Sequence, residues 1–170
     1  MMDADGLRAL QAPLKERYKT DSAAARITLR AAASLQDGIA CRVDSRRDLA
    51  VAGLHPATGG SGAELCSGDM LLEALVACAG VTLKAVATAL SIPLRSGTVS
   101  AEGDLDFRGT LGVAKDAPVG FSAIRLAFAL ETDAPQDKVD TLLRLTERYC
   151  VVLQTLSHSP SLTATIRKTA

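Results

Sequence analysis

Two of the four cysteines in this sequence lie in long apolar helical patterns, where together they could reduce a peroxide. Cys78 lies in the middle of the stretch from Ser67 to Leu90, and Cys150 lies in a second helical pattern. A thiolate attacks the O–O bond and becomes a sulfenic acid, which condenses with a second thiol to form a disulfide. Such a pair completes its cycle with an external dithiol and needs no metal or organic cofactor.

Burial is the alternative explanation for Cys78. Free cysteine is among the most buried residue types, and apolar surroundings raise the pKa of its thiol. Without a nearby cation, Cys78 would therefore be an inert core residue. Cys66, twelve residues earlier, could resolve or modulate a reactive thiol, or it could be an ordinary loop cysteine. Cys41 alternates as an inward strand residue, which indicates packing.

The sequence disfavours two other kinds of site. His55 and His158 could activate a cysteine, or bind zinc together with Cys41 and Cys66, but no pair has zinc-ligand spacing, so we expect no metal. The glycine-rich run at residues 58–62 lacks the lysine and serine of a P-loop, which favours a flexible connector over a phosphate site.

The helix that begins at Ser67 must place Cys78 in the protein interior. Ser67 is the expected N-cap, and Asp69 lies where the helix dipole favours an anion. The polar stripe of this helix, which contains Glu73 and Lys84, faces away from Cys78. A membrane span needs about 20 apolar residues. Charged residues interrupt the run, so we expect a core helix and no membrane partner.

The second main helix is predicted from Asp133, whose spacing to Gln136 is a capping-box signal. Its apolar face runs from Val139 to Leu153 and contains Cys150. One inward cysteine on each of two main helices is the arrangement that a peroxide-reducing pair needs.

The other patterns predict an α+β fold in which helices pack on an antiparallel sheet. We interpret residues 1–25 as an N-terminal helical extension and residues 26–170 as the main domain. The extension contains a loosely attached helix at 5–19 that Pro13 should kink or divide. Alternating apolar residues predict strands at 26–34, 39–44, 49–52, 98–107, 124–130 and 162–166. The first two should meet at a turn at 36–38, and the strands at 98–107 and 124–130 should form an antiparallel hairpin with a long tip.

Composition narrows the compartment and the partners. The 170 residues carry no net charge and are 48% hydrophobic, as expected for one domain with a substantial core. Basic and acidic residues balance at 19 each and aromatic residues make up only 3%, so we expect no nucleic-acid partner. The acidic N-terminus does not resemble a secretory signal, which favours the cytoplasm, where thiols stay reduced.

The two cysteine segments resemble those of a known family. GDMLLEALVACAGVTL resembles the first cysteine motif of the OsmC/Ohr family (osmotically inducible protein C and organic hydroperoxide resistance protein), and ERYCVVLQTL resembles the second. The motif spacing, the strand GFSAIRLAF and the glycine-rich approach loop match too, so the resemblance covers roughly residues 26–168. It implies an intertwined homodimer of antiparallel sheets and two long central helices, with active sites at the subunit interface.

The resemblance also implies a function. Cys78 would attack an organic hydroperoxide, Cys150 would resolve the sulfenic acid, and a lipoyl-type dithiol would reduce the disulfide. The alternative is a noncatalytic OsmC-like protein that serves as a small-molecule binding or dimer scaffold. Gly68 stands where peroxidatic members carry a glutamate that holds an activating arginine, and Asp69 is the candidate substitute. The candidate arginines are Arg30, Arg42, Arg46 and Arg47.

Overall fold

A computed structural model describes residues 4–36, 40–43, 52–63, 65–166 and 168 of the chain. Its helices are α1 (Ala4–Thr20), α2 (Ser67–Ala89), the single turn α3 (Phe107–Thr110), α4 (Gln136–Tyr149) and α5 (Val151–Ser157). Its strands are β1 (Arg26–Gln36), β2 (Ala40–Val43), β3 (Ala52–Gly53), β4 (Leu65–Cys66), β5 (Ser96–Asp106) and β6 (Ala123–Glu131). The predicted α+β class is confirmed.

Four strands form one antiparallel sheet in the order β2-β1-β5-β6. The two predicted hairpins are present, since β1 pairs with β2 and β5 pairs with β6. β1 and β5 also pair, which joins the hairpins into one sheet. The turn expected at 36–38 lies outside the described residues except for Gln36, as does most of the strand expected at 49–52. Its last residue, Ala52, belongs to β3, which pairs in parallel with β4.

α2 is the core helix that the sequence predicted. It packs against the sheet on one side and against α4 and α5 on another. By length and composition alone it could also cross a membrane, but its apolar side chains fill the core. The residues without exposed surface are Leu72, Leu75, Val76, Ala79 and Leu83. The expected N-cap is wrong by one residue, because Cys66 holds the cap position without a side-chain bond and Ser67 is already helical.

α1 differs from the expected loosely attached, divided helix. It runs without interruption through Pro13. The carbonyl that proline leaves without its usual partner belongs to Ala9, which is exposed, so water can bond it. Tyr18 is only 3% exposed, and its hydroxyl donates to the carbonyl of Ala57 over 2.7 Å. The side chain of Gln11 likewise donates to the carbonyl of Thr58, so α1 is anchored to the loop that approaches α2.

The second main helix also departs from the prediction, at both ends. It begins at Gln136 after an N-cap at Pro135, because the carboxylate of Asp133 pairs with Arg95 instead of capping the helix. It then breaks at Cys150, whose φ of −71° and ψ of 106° are extended, and α5 continues after the break.

The strand expected at residues 162–166 is wrong. These residues have no regular structure, and the side chains of Leu162 and Ile166 are 86% and 97% exposed. Alternating apolar residues favour a strand only when one face is buried against a neighbour. Here nothing buries either face within the described residues, so the alternation has no structural consequence.

Candidate active site

Cys78 and Cys150 are brought together where α2 meets the break between α4 and α5. Cys78 lies in the middle of α2 and is half-buried, while Cys150 forms the break and has no exposed surface. Both cysteines are free thiols. The thiol of Cys150 donates a hydrogen bond to the sulfur of Cys78. The two sulfurs therefore face each other directly.

The break at Cys150 redirects backbone amides toward these sulfurs. In an uninterrupted helix each N–H donates to the carbonyl four residues earlier. Here the amides of Val151 and Val152 donate to the sulfur of Cys78, and those of Val152 and Leu153 donate to the sulfur of Cys150. Regular helical bonding resumes at Gln154, whose N–H donates to the carbonyl of Cys150. Local backbone geometry thus supplies donors to both thiols.

The surroundings lower the pKa of the Cys78 thiol. Burial raises this pKa, but four hydrogen bonds that favour the thiolate outweigh burial. In order of effect, the donors are the amide of Val152, the thiol of Cys150, the amide of Val151 and the hydroxyl of Thr82. Cys78 is therefore more acidic than an ordinary cysteine, which increases its thiolate fraction at neutral pH.

The pKa of Cys150 moves the other way, to about 11. Burial is the main cause, and the nearby Cys78 adds to it by accepting the proton and by repelling a second negative charge. The amides of Leu153 and Val152 oppose these effects only in part. Cys150 therefore keeps its proton at neutral pH. The pair combines one acidic thiol with one that stays protonated.

The predicted supporting residues lie elsewhere. Asp69 is in the first turn of α2, where burial raises the pKa of Glu73 and the charge of Asp69 adds to that effect. Cys66 precedes α2 and is about 18 Å from Cys78 at 1.5 Å per residue, so it is not part of the pair.

The arginine that the resemblance requires is not identified by the described residues. Arg30 and Arg42 belong to β1 and β2, whose side chains there are not described, and Arg46 and Arg47 lie outside the described residues. The described donors to Cys78 are amide, hydroxyl and thiol groups.

His55 has a structural position. Its Nδ1 atom accepts a bond from the amide of Ala57 over 3.0 Å, and its ring stacks on Phe107 with 4.9 Å between centroids. Burial lowers its pKa, and the charge of Asp69 opposes this effect. His158 caps the end of α5 and is exposed. Across the described part of the chain, no group of three or more potential ligands is placed to hold a metal.

A cavity of about 910 Å³ lies between β6 and the helices α2, α4 and α5. Leu75 lines it one helical turn before Cys78, and Leu153 lines it three residues after Cys150. The cavity therefore shares its wall with the helical segments that carry the thiol pair. Its other apolar lining residues include Ile124, Leu126, Phe128, Val139 and Leu156.

A family model described as OsmC-like protein matches residues 60–165, which is more than half of the chain. The chain belongs to the OsmC-like family. The resemblance of its two cysteine motifs is thereby confirmed, and the OsmC-like region contains both thiols and the cavity. Among curated proteins no match is found.

The OsmC-like fold is also seen in a solved structure. The crystal structure of an OsmC-like hydroperoxide resistance protein from Jannaschia sp. CCS1 matches with a TM-score of 0.61. The match covers 85% of this chain and 95% of that chain, with 14% sequence identity. At this identity the likeness concerns the fold alone, and it confirms the OsmC-like fold predicted for the single chain.

Sequence reasoning missed the donors that surround Cys78. Thr82 could have been found, because residues four apart lie on one face of a helix. The amides of Val151 and Val152 could not, because they reach the sulfur only through the break at Cys150 and the packing of α5 on α2.

Proposed function

We propose that this OsmC-like protein is a thiol-dependent peroxidase that reduces organic hydroperoxides. The observation that supports it best is the hydrogen bond from the Cys150 thiol to the sulfur of Cys78, combined with the lowered pKa of Cys78. An acidic thiol beside a protonated thiol is suited to attack followed by resolution. Membership of a family that includes a hydroperoxide resistance protein supports a peroxide-related role.

The proposed cycle balances with two thiols and one hydroperoxide. The Cys78 thiolate attacks the distal oxygen of the O–O bond, which leaves an alkoxide and a sulfenic acid on Cys78. The alkoxide takes a proton from water and departs as an alcohol. The thiol of Cys150 then attacks the sulfenic sulfur, forming the disulfide and releasing water. An external dithiol, of lipoyl type by family resemblance, returns both cysteines to thiols and becomes a disulfide itself.

The cavity beside the thiol pair favours an apolar substrate. Pockets of about 300–1,000 Å³ hold small organic ligands, and this cavity of about 910 Å³ is lined mainly by leucine, isoleucine and phenylalanine, with polar residues such as Thr132 and Glu147 among them. Leu75 and Leu153 line the cavity three residues from Cys78 and Cys150 along the chain, so an alkyl group held there would lie next to the helical segments that carry the thiols. Hydrogen peroxide has no such group, so we expect it to be the poorer substrate.

A second copy of the chain is the expected partner. One face of α2 carries the small or apolar side chains Leu71, Ala74, Cys78, Val81 and Ala85, spaced alternately by three and four residues. This spacing is typical of helix–helix contacts. Leu71 and Val81 are 36% and 39% exposed in the single chain, so the face is available to a second α2. We place the dimer in the cytoplasm, where a dithiol can keep the cysteines reduced.

One observation favours the alternative of a noncatalytic scaffold. Among the described residues, the donors to Cys78 are amide, hydroxyl and thiol groups and include no guanidinium. In that case the hydrogen bonds around Cys78 would only stabilise the packing of α5, and the cavity would bind a ligand without chemistry.

The decisive experiment exposes the reduced protein to one equivalent of an alkyl hydroperoxide and maps its thiols by mass spectrometry. We expect the wild type to lose two thiols and form a Cys78–Cys150 disulfide. Cys150→Ser should trap a sulfenic acid on Cys78, Cys78→Ser should not react, and the control Cys66→Ser should behave like the wild type. No loss of thiols in the wild type would leave only the scaffold function.

A further inference from the structure

The side chain of Gln154 spans the break between α4 and α5. Its Nε2 atom donates to the backbone carbonyl of Glu147 over 2.9 Å. In an uninterrupted helix, this carbonyl would accept the N–H of Val151, which here donates to the sulfur of Cys78 instead. The side chain of Gln154 therefore donates to the carbonyl of Glu147 in place of the Val151 amide.

This contact matters because an unbroken helix is the competing local structure. Val151 to Leu153 would extend α4 smoothly if their amides returned to the carbonyls four residues earlier. The sulfurs of Cys78 and Cys150 would then lose their backbone donors. A side chain that already bonds the Glu147 carbonyl removes the first acceptor of that alternative. It also satisfies one of the carbonyls that the break leaves without a helical donor.

We propose that Gln154 is a positioning residue for the thiol pair, whose side-chain amide holds the break at Cys150 and keeps the Val151 N–H on the Cys78 sulfur. Gln154 lies one turn after Cys150 and acts through the backbone, so it touches neither the peroxide nor the reacting atoms. The proposal deepens the peroxidase function proposed above, but its first test needs no peroxide.

The first test replaces Gln154 with methionine, which has a similar length and helix propensity but no N–H. The rate of Cys78 alkylation by iodoacetamide is measured against pH by mass spectrometry of the Cys78 peptide. Because a hydrogen bond to a charged group is lost, we expect the apparent pKa of Cys78 to rise by about one unit and the rate at pH 7 to fall roughly tenfold. The limiting rate at high pH should not change.

Gln136→Met is the matched control. Gln136 donates its side-chain amide to Asp140 within α4, over 2.8 Å and away from both cysteines. Its loss should leave the alkylation profile of Cys78 unchanged. If Gln154→Met fails to fold, Gln154→Leu tests the same prediction.

A second variant separates positioning from general destabilisation. Val151 is the first residue of α5, where proline is tolerated because its missing N–H has no helical partner. Val151→Pro removes the donor itself and should raise the apparent pKa of Cys78 in the same direction. Since both changes act through one amide, the double variant with Gln154→Met should shift the pKa no further than Val151→Pro alone.

The proposal is overturned if the apparent pKa of Cys78 in Gln154→Met equals that of the wild type, or if Gln136→Met raises this pKa equally. It is also overturned if the pKa shifts of Gln154→Met and Val151→Pro simply add in the double variant. A shifted titration in a protein that consumes no peroxide would uphold the positioning role and reject the peroxidase. Rapid peroxide consumption by the wild type, with an unchanged pKa of Cys78 in Gln154→Met, would uphold the peroxidase and reject the positioning role.

Discussion

The thiol of Cys150 donates a hydrogen bond to the sulfur of Cys78, and the surroundings shift the pKa values of the two thiols in opposite directions. Donors on α2 and α5 stabilise a negative charge on Cys78, whereas burial keeps Cys150 protonated up to a pKa of about 11. Because both residues are cysteines, the difference between their pKa values comes from their surroundings in the fold. It assigns the first attack to Cys78 and resolution to Cys150 in the proposed peroxidase.

Alkylation should therefore distinguish the two thiols. The thiolate is the nucleophile, and the pKa of Cys78 lies below its ordinary value of 9.0 while that of Cys150 is about 11. We expect limiting iodoacetamide at pH 7.5 to label Cys78 roughly a hundredfold faster than Cys150. Peptide mapping by mass spectrometry measures the ratio. Equal labelling of the two cysteines would contradict the difference between their pKa values.

Thr82 should contribute to the acidity of Cys78. Its hydroxyl donates to the Cys78 sulfur, so Thr82→Val should raise the apparent pKa of Cys78 by about half to one unit. The control is Thr88→Val on the same helix, because Thr88 donates instead to the carbonyl of Lys84 over 2.8 Å. The pH dependence of alkylation checks both variants, and Thr82→Ser should restore the wild-type profile. A shift in Thr88→Val as large as in Thr82→Val would contradict the assignment.

The stability of the reduced protein should rise with pH up to about pH 9 and fall above it. Below that pH, the folded chain loses the Cys78 proton before the unfolded chain does, so stability rises with pH. Between pH 9 and about 11 the unfolded chain loses the Cys150 proton first, so stability falls by an amount on the order of 2–3 kcal/mol.

Urea unfolding under reducing conditions measures both limbs. Other groups also titrate above pH 9, so the comparison is made with Cys150→Ala. This variant should lose much less stability than the wild type between pH 9 and 11. Parallel curves for the two proteins would show that burial does not raise the pKa of Cys150.

The exposed face of α2 should mediate self-association. We expect the wild type to elute as a dimer and Val81→Asp to elute as a monomer, because a buried charge at the centre of the face costs several kcal/mol. Val119→Asp is the control, since Val119 is 67% exposed in the loop before β6 and lies outside that face. Light scattering after size-exclusion chromatography gives the mass. A monomeric wild type would end the dimer proposal.

Gly60 should tolerate no side chain. A Cβ atom there would lie 1.6 Å from the carbonyl oxygen of Leu54, so the loop anchored by α1 would have to move. We expect Gly60→Ala to lower the free energy of unfolding by roughly 1–3 kcal/mol, as overpacking does. Gly120→Ala, with no heavy atom within 4 Å of the added Cβ, should be nearly neutral. Chemical denaturation compares them, and equal stability of the two variants would refute the close approach.

Local periodicity was enough to predict the elements that bury one face along their whole length. α2 and β5 were identified from spacing because the core contacts every third or fourth residue of the helix and every second residue of the strand. The cysteine motifs were enough to predict the OsmC-like fold, which the family match confirms.

Predictions failed where a distant residue competed for a local signal. The capping box at Asp133 looked complete, but Arg95 takes its carboxylate. The alternation at 162–166 looked like a strand, but within the described residues no neighbour covers it. A sequence pattern shows which structure a segment favours by itself. Whether the segment adopts that structure depends on contacts with other parts of the chain.

The sequence by itself determined that two cysteines lie on two apolar helical segments of an OsmC-like chain. Only the tertiary structure decided that Cys150 breaks its helix, that the freed amides of α5 point at Cys78, and that the two pKa values separate. The physical reason is that a thiol pKa depends on burial and on donors within a few ångströms. Those donors are brought to Cys78 by packing between α2 and α5, which are far apart along the chain.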